Sequence, residues 1–167
     1  MTTSVREDRE IPLTVAQVLD VLRSPAHWEA RVRDAGEGRL ELTGLEVSDT
    51  GVEATLTGPV PLDWLPSVVR ARVTSPPSIR RVERWTAVGD GPGGPPTALA
   101  GVLDFTVTGV SATVAGTGTV RPVPTGSRIV VDLAVGVDMP FIGGLIEQAI
   151  ASQIGPNLAR ELALIGR

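Results

Sequence analysis

The residue types best suited to chemistry lie close together in the middle of the chain, in the run 79–88. The alternation in this run predicts a β-strand, in which every second side chain points to the same face. Arg81, Glu83 and Trp85 therefore share one face, and an inward Arg–Glu pair is the best candidate for polar contacts to a ligand. Burying such a pair is costly unless it is hydrogen-bonded, so an exposed ion pair on a twisted strand is the alternative.

Three other features could carry chemistry, and each has a simpler explanation. His27 is the single histidine, and beside Trp28 it is more typical of a surface or capping residue than of a general base. The glycine-rich stretch 89–96 contains prolines, which lack N–H donors, and no lysine follows it; this favours a hairpin loop over a phosphate site. Gly143 and Gly144 are expected to turn the chain into the last helix, not to bind an anion. No catalytic residue is predicted.

The composition excludes several classes of site and partner. The chain has no cysteine and one histidine, which rules out disulfides, thiolate catalysis, cysteine-ligated metal sites and multi-histidine metal sites. We therefore expect neither a metal nor a cofactor. The net charge of -4 gives the chain no overall basic character, so nucleic acid is not an expected partner.

Length and hydropathy indicate how the chain is organised. Its 167 residues suit one domain spanning 1–167, and 42% hydrophobic residues suffice for a core and a lined cavity. Residues 1–10 are polar and charged, and no later apolar run is long enough to span a bilayer. We therefore expect a cytoplasmic protein without stable membrane insertion, and its oligomeric state stays open.

The order of the elements predicts an α+β fold. An opening strand over 4–13 is followed by two short helices, the first capped by Thr14 and the second running from Ser24-Pro25 to Gly36. The hydrophobic period then changes to two, which indicates an antiparallel meander, and it ends in a long helix over 142–165. The meander strands are expected over 40–47, 52–57, 79–88, 98–107, 111–122 and 127–137, with a bulge at Gly44 and a short helix within 65–73.

The strands and the last helix each carry a regular apolar stripe, and these stripes are expected to face each other. Small residues occur on the strand 111–122, at Ala112, Gly116 and Gly118. Because such residues fill a core poorly, we expect open space beside them in which a ligand could bind. A solid core is the alternative, since most apolar stripes are ordinary packing.

Two segments carry a resemblance to known proteins. The run RRVERW at 80–85 and the run PFIGGLIE at 140–147 resemble an actinobacterial family of unknown function in the START-like, or SRPBCC, superfamily. The likeness extends over nearly the whole chain. It implies a helix-grip fold, in which a curved antiparallel sheet wraps around a long C-terminal helix and a cavity lies between them. It implies no catalytic residues.

The leading hypothesis is non-covalent binding of a small hydrophobic molecule, such as a lipid, polyketide or isoprenoid, in that cavity. The predicted ligand-binding residues combine the Arg–Glu pair with aromatic and aliphatic side chains of the strands and the last helix. They are Arg81, Glu83, Trp85, Leu103, Phe105, Val131, Leu133, Ile146, Ile150 and Ile154.

Two alternatives belong to other classes of protein. One is an enzyme of the cyclase or dehydratase type, in which Arg81 and Glu83 orient or protonate a polyketide-like substrate; the absence of tyrosine and the single histidine weaken it. The other is a protein-interaction domain with a filled core, whose partner docks on the apolar edge around Trp64, Leu65 and Val68. A cavity of several hundred Å³ favours the first two hypotheses over the third.

Overall fold

The computed structural model describes residues 2–89 and 94–167, and its elements follow the order expected from the sequence. The strands are β1 (Thr2–Ile11), β2 (Glu41–Val47), β3 (Gly51–Pro59), β4 (Ser78–Val88), β5 (Ala98–Thr108), β6 (Ala112–Val123) and β7 (Gly126–Val137). The helices are α1 (Val15–Arg23), α2 (Pro25–Ala35), α3 (Ser67–Arg70) and α4 (Gly143–Ile165), and a 3₁₀ turn covers Leu62–Trp64. Of the predicted hairpin loop 89–96, residues 90–93 lie outside the described residues.

The described strands form one seven-stranded antiparallel sheet in the order β1-β7-β6-β5-β4-β3-β2. Strands β2 to β7 are a meander, and β1 pairs along nearly the whole of β7, with Val5 opposite Leu133. The register between β2 and β3 shifts between Leu42 and Gly44, which confirms the predicted bulge. The first strand of the chain thus lies beside the last one, next to the C-terminal helix.

Local signals explain where the first two helices begin. The Thr14 hydroxyl accepts a hydrogen bond from the Gln17 backbone N–H at 3.2 Å, and the Gln17 side chain accepts one from the Thr14 N–H at 2.9 Å. This capping box fixes the start of α1. Ser24 precedes α2 but its side chain makes no capping bond, so Pro25 at the first helical position marks this start instead.

The long helix α4 packs against β1 and β7 and supplies one side of the core. Its buried stripe of Ile154, Leu158, Leu162 and Ile165 meets the inward side chains of the sheet and of α1. The α+β helix-grip architecture expected from the sequence is confirmed. No helix within 2–89 and 94–167 is both long and apolar enough to cross a membrane.

A smaller apolar cluster lies where the chain enters α4. Leu65, Val69 and Ile146 are buried together there, and Ile150 packs against both this cluster and the main core. The cluster ties the 3₁₀ turn and α3 to the first half of α4. It therefore fixes the segment that follows β3, which lines a cavity described below.

Glycines on β5 and β6 accommodate a tryptophan, so the expectation of open space beside the small residues of β6 is wrong. A Cβ atom at Gly101 would lie 2.6 Å from Cζ3 of Trp85, and one at Gly118 would overlap the same indole ring. A side chain at Gly116 would overlap the backbone of β7, and Ala112 is itself buried. The small residues allow close packing of Trp85 and of the strands, and they leave no room for a ligand.

We expect Gly101→Ala to destabilise the protein by about 1–3 kcal/mol, because the added methyl group overpacks a site that Trp85 already fills. Urea denaturation followed by circular dichroism would measure the change. Adding Trp85→Phe to Gly101→Ala should recover part of the loss, since a smaller ring leaves room for the methyl group. Gly144→Ala, where a Cβ meets nothing within 4 Å, is the matched control and should not destabilise. Equal stability of Gly101→Ala and the wild type would contradict the tight fit.

The connection from β7 to α4 holds an aromatic residue in a strained backbone conformation. Phe141 has a φ of 69°, in the left-handed region, and its side chain is fully exposed. Bulky residues are rarely found there, because their Cβ atom comes too close to the following carbonyl oxygen. The Phe141 side chain therefore buries nothing that offsets this strain.

Phe141→Gly should raise the free energy of unfolding by about 1 kcal/mol, because glycine adopts a positive φ without steric cost. Chemical denaturation would detect this difference. Val88→Gly is the control, since Val88 is exposed in a β-strand and glycine there should lower stability. A loss of stability at position 141 similar to that of the control would rule out backbone strain.

Candidate functional site

A cavity of about 340 Å³ lies between α4, the start of β4 and the segment that follows β3. Its exposed lining residues form the mouth, and its buried lining residues form the floor. The mouth consists of Arg39, Pro59, Gln153 and Arg160, and Trp64 and Ile79 are half-buried in the wall. The cavity therefore opens beside α4 and ends in the core.

The floor is mainly apolar, because inward-facing side chains of the strands meet one face of α4 there. Phe105 and Leu133 point inward from β5 and β7, and both are buried. Ile154 and Leu158 lie four residues apart on α4, so they present one face of the helix to the same space. These four side chains surround the inner part of the cavity with hydrocarbon and aromatic surface.

One end of the floor is polar. Arg81 and Glu161 both line the cavity, and Arg81 Nη1 lies 3.0 Å from Oε1 and 2.8 Å from Oε2 of Glu161. The guanidinium carbon of Arg81 lies 4.9 Å from the centroid of the Phe105 ring, a cation–π arrangement. An ion pair supported by an aromatic face therefore adjoins the apolar floor.

Behind this pair lies a carboxylate that does not reach the cavity. Glu83 is 1% exposed and accepts hydrogen bonds from Arg31 Nη1 at 3.0 and 3.1 Å, from Arg81 Nη2, and from Trp85 Nε1 at 3.3 Å. Arg31 also lies 4.0 Å from Glu161. We call Arg31, Arg81, Glu83 and Glu161 the buried ion network. It joins α2, β4 and α4, and it carries two positive and two negative charges.

The sequence-based reasoning missed two members of this network, although a signal existed for each. Arg31 lies three residues after Trp28 and four before Ala35, inside the apolar stripe of α2. Its guanidinium carbon lies 4.5 Å from the centroid of the Trp28 ring. Glu161 similarly lies three residues after Leu158, within the buried stripe of α4. A charged residue inside an apolar stripe predicts a buried partner of opposite charge. The alternation of side chains along β4 could not show which residue of another element that partner is.

Arg81 and Glu83 keep their charges at neutral pH. Burial alone would raise the pKa of Glu83, but the charges of Arg31 and Arg81 and the hydrogen bonds from Trp85 and Arg31 lower this pKa to about 2. Burial would lower the pKa of Arg81, but Glu161 and Glu83 raise it above its ordinary value. The Arg81–Glu83 pair is therefore inward and ionised, and the alternative of an exposed surface pair is wrong.

His27 is buried, so its assignment as a surface or capping residue is wrong. It contacts the Trp28 ring edge-to-face, with 5.3 Å between ring centroids, and it does not line the cavity. Burial and the nearby charge of Arg31 lower the pKa of His27 to about 3. The imidazole is therefore neutral at physiological pH, and it packs against Trp28 outside the cavity.

The ten residues predicted to bind a ligand fall into three groups. Arg81, Phe105, Leu133 and Ile154 line the cavity. Glu83, Trp85, Leu103 and Val131 are buried beside or behind it, and Ile146 and Ile150 belong to the cluster at the start of α4. The structure thus brings four of the ten to one open space. Glu161, Asn157 and Trp64 line the same space and were not predicted.

The two alternative hypotheses lose some of their supporting residues. Glu83 has no contact with the cavity and is ionised, so it cannot protonate a substrate there. Leu65 is buried against Ile146, and Trp64 lines the cavity, which leaves Val68 as the exposed member of the proposed docking edge. The docking hypothesis also assumed a filled core, which the cavity contradicts.

The lining residues are suited to hydrogen bonding and charge interactions and not to covalent catalysis. Within the described lining, the carboxylate is that of Glu161, paired with Arg81, and no serine, threonine or histidine is present. Across the described ranges, no cluster of histidine and acidic residues could hold a metal ion. The arrangement can bind an apolar body and orient a polar group.

Comparisons with known sequences give one family and several relatives. A family model described as "Protein of unknown function (DUF2505)" matches residues 6–167. Uncharacterised proteins of Mycobacterium tuberculosis and Mycobacterium bovis are 27% identical over 135 residues, which cover 77% of this chain and 74% of theirs.

Several solved structures share the fold of this chain. The crystal structure of a Thermus thermophilus protein has a TM-score of 0.55 at 14% identity, covering 98% of this chain and 94% of that one. The di-domain ARO/CYC StfQ from the steffimycin biosynthetic pathway has a TM-score of 0.57 at 11% identity, covering 99% of this chain and 50% of that one. The human StarD13 lipid transfer and protein localization domain has a TM-score of 0.50 at 17% identity, covering 96% and 74%. At these identities the likeness shows a START-like fold.

Glu83→Gln should destabilise the protein by about 3–5 kcal/mol, because it leaves the charges of Arg31 and Arg81 buried without their shared partner. The pKa of Glu83 in the folded state is lower than its ordinary value of about 4.3. The ionised carboxylate therefore stabilises the folded protein at pH values above about 4.3. The effect is lost as the pH falls towards 2, and its size is on the order of 3 kcal/mol. Urea denaturation between pH 2 and pH 7 would measure both the loss and its pH dependence.

The control for this prediction is Glu53→Gln, which removes the partly exposed ion pair with Arg84 on the outer face of the sheet. That change should cost less than about 1 kcal/mol. If Glu83→Gln behaves like Glu53→Gln, or if its cost is unchanged at pH 2, the buried ion network does not hold the interior together.

Proposed function

This chain belongs to the DUF2505 family of proteins of unknown function, and we propose that it binds a small hydrophobic molecule non-covalently in the cavity beside α4. The observation that carries this proposal is a cavity of about 340 Å³ whose floor is apolar and whose one polar end is an Arg–Glu pair. Ligand pockets typically combine an apolar lining with a few well-placed polar groups.

The size of the cavity limits the ligand. A volume of about 340 Å³ lies at the lower end of the range found for ligand pockets. It suits a single chain or a small ring system better than a lipid with two long chains. Phe105 at the floor and Trp64 in the wall supply flat aromatic surface, which supports ring-containing ligands such as polyketides as well as isoprenoids.

Proteins of the same fold support this choice of ligand class by their described roles. The di-domain structure comes from a steffimycin biosynthetic pathway, and the human domain is described as a lipid transfer domain. Such likeness is a fold-level analogy, and the cavity of this chain is what supports binding. Binding is favoured over catalysis because Glu161 is paired with Arg81 and no other described lining residue is acidic or nucleophilic.

Native mass spectrometry of the protein purified from its own host, followed by solvent extraction, tests the proposal directly. We expect a hydrophobic molecule at near one-to-one stoichiometry, and its mass would give the chemical class. An empty protein that is also not stabilised by a panel of lipids, polyketides and isoprenoids would contradict the proposal and favour a role in protein interaction.

Ile79→Trp should abolish co-purification of that molecule, because the larger side chain extends from the wall into the cavity. Ile79 is half-buried, so the substitution should lower stability only modestly. Val102→Trp is the matched control, since Val102 is exposed on the outer face of the neighbouring strand β5. The amount of bound molecule should be unchanged in Val102→Trp. If Ile79→Trp also retains the molecule, the ligand binds elsewhere.

A further inference from the structure

We infer that the ligand is an amphipathic monocarboxylate, whose anionic group lies at the mouth beside Arg39 and whose apolar body lies on the floor. This inference rests on the proposed function and specifies it. It follows from four features of the mouth: its charge, the position of that charge, the way Arg39 is held, and the groups beside Arg39.

The cavity lining is positively charged although the chain is acidic overall. Arg39, Arg81 and Arg160 line it, and the lining carboxylate is that of Glu161, whereas the whole chain has a net charge of -4. Arg81 is neutralised by Glu161, and Arg160 Nε donates to Asp34 at 2.7 Å. Within the described residues Arg39 forms no ion pair with a carboxylate. One cation of the lining is therefore uncompensated.

The uncompensated charge lies at the open end. Arg39 is exposed, as are Gln153 and Arg160, whereas Phe105 and Leu133 at the floor are buried. A ligand that enters with its apolar part first would leave its polar group among these three side chains. The mouth thus has the polarity that an amphipathic anion requires, and a cationic ligand would be repelled.

The backbone of Arg39 is fixed even though its side chain is exposed. Its N–H donates to the carbonyl of Gly36 at 3.2 Å, and Gly36 has a φ of 100° that favours glycine. Its carbonyl oxygen lies so close to Gly58 on β3 that a Cβ atom there would overlap it. The two glycines therefore hold Arg39 at the mouth, and its guanidinium is available for a ligand.

The neighbouring groups favour a carboxylate. Arg160 is oriented by Asp34 and by Asn157 Oδ1 at 2.8 Å, and in the described residues its Nη1 makes no hydrogen bond. Arginine and a carboxylate form short, charge-assisted hydrogen bonds, often in pairs. A single uncompensated cation balances one negative charge, which favours a carboxylate over a doubly charged phosphate ester.

The test compares acids with their uncharged esters on the intact protein. Decanoate and 2-naphthoate are titrated against methyl decanoate and methyl 2-naphthoate by isothermal calorimetry, with wild type, Arg39→Gln and Arg80→Gln. Arg80 is the control because it is exposed on β4 and in the described residues forms no ion pair. Circular dichroism and thermal unfolding check that each variant is folded.

We expect the acids to bind wild type about tenfold more tightly than their esters, as one charge-assisted hydrogen bond would give. Arg39→Gln should remove this preference without changing ester binding, and Arg80→Gln should keep it. Equal binding of acid and ester to wild type, or a loss of ester binding in Arg39→Gln, would overturn the inference and leave the proposed function intact. If no acid and no ester binds, the proposed function fails together with the inference.

Discussion

Two arginines and two glutamates in the interior must neutralise one another, and this requirement fixes how α2, β4 and α4 are placed. Glu83 is the centre of the arrangement, because it accepts hydrogen bonds from Arg31, Arg81 and Trp85 at once. A buried charge without a partner costs several kcal/mol, so none of the three elements can shift alone. The buried ion network therefore determines the geometry around the cavity as much as the apolar core does.

The same network divides the interior into a filled part and an open part. On the side of Trp85 the glycines Gly101 and Gly118 admit the indole ring, and the space is occupied. On the side of Glu161 the pair with Arg81 ends the apolar packing, and the cavity begins there. A side chain that completed the core at this point would have to displace an ion pair. The open space therefore has this ion pair at its polar end.

This arrangement separates the structural role of the charges from their role towards a ligand. Glu83 and Arg31 are fully enclosed, whereas Arg81 and Glu161 border the open space and Arg39 and Arg160 lie at its mouth. The charges in the interior are therefore paired and sum to zero, whereas the mouth carries a cation without a partner among the described residues. Within the START-like fold, this distribution of charge gives the family member a cavity with a defined polarity.

The resemblance of two segments to a known family implied the helix-grip arrangement. The sequence by itself determined the α+β class, the strand order along the chain, the bulge at Gly44 and the face that Arg81, Glu83 and Trp85 share on β4, because these follow from hydrophobic period and turn residues within short segments. It also identified Arg81, Phe105, Leu133 and Ile154, which do line the cavity. Only the tertiary structure decided that Glu83 is paired with Arg31, that Trp85 fills the gap at Gly118, and that Arg39 borders the mouth. The physical reason is that packing and charge pairing join residues far apart in the chain, and no local period records which of them meet.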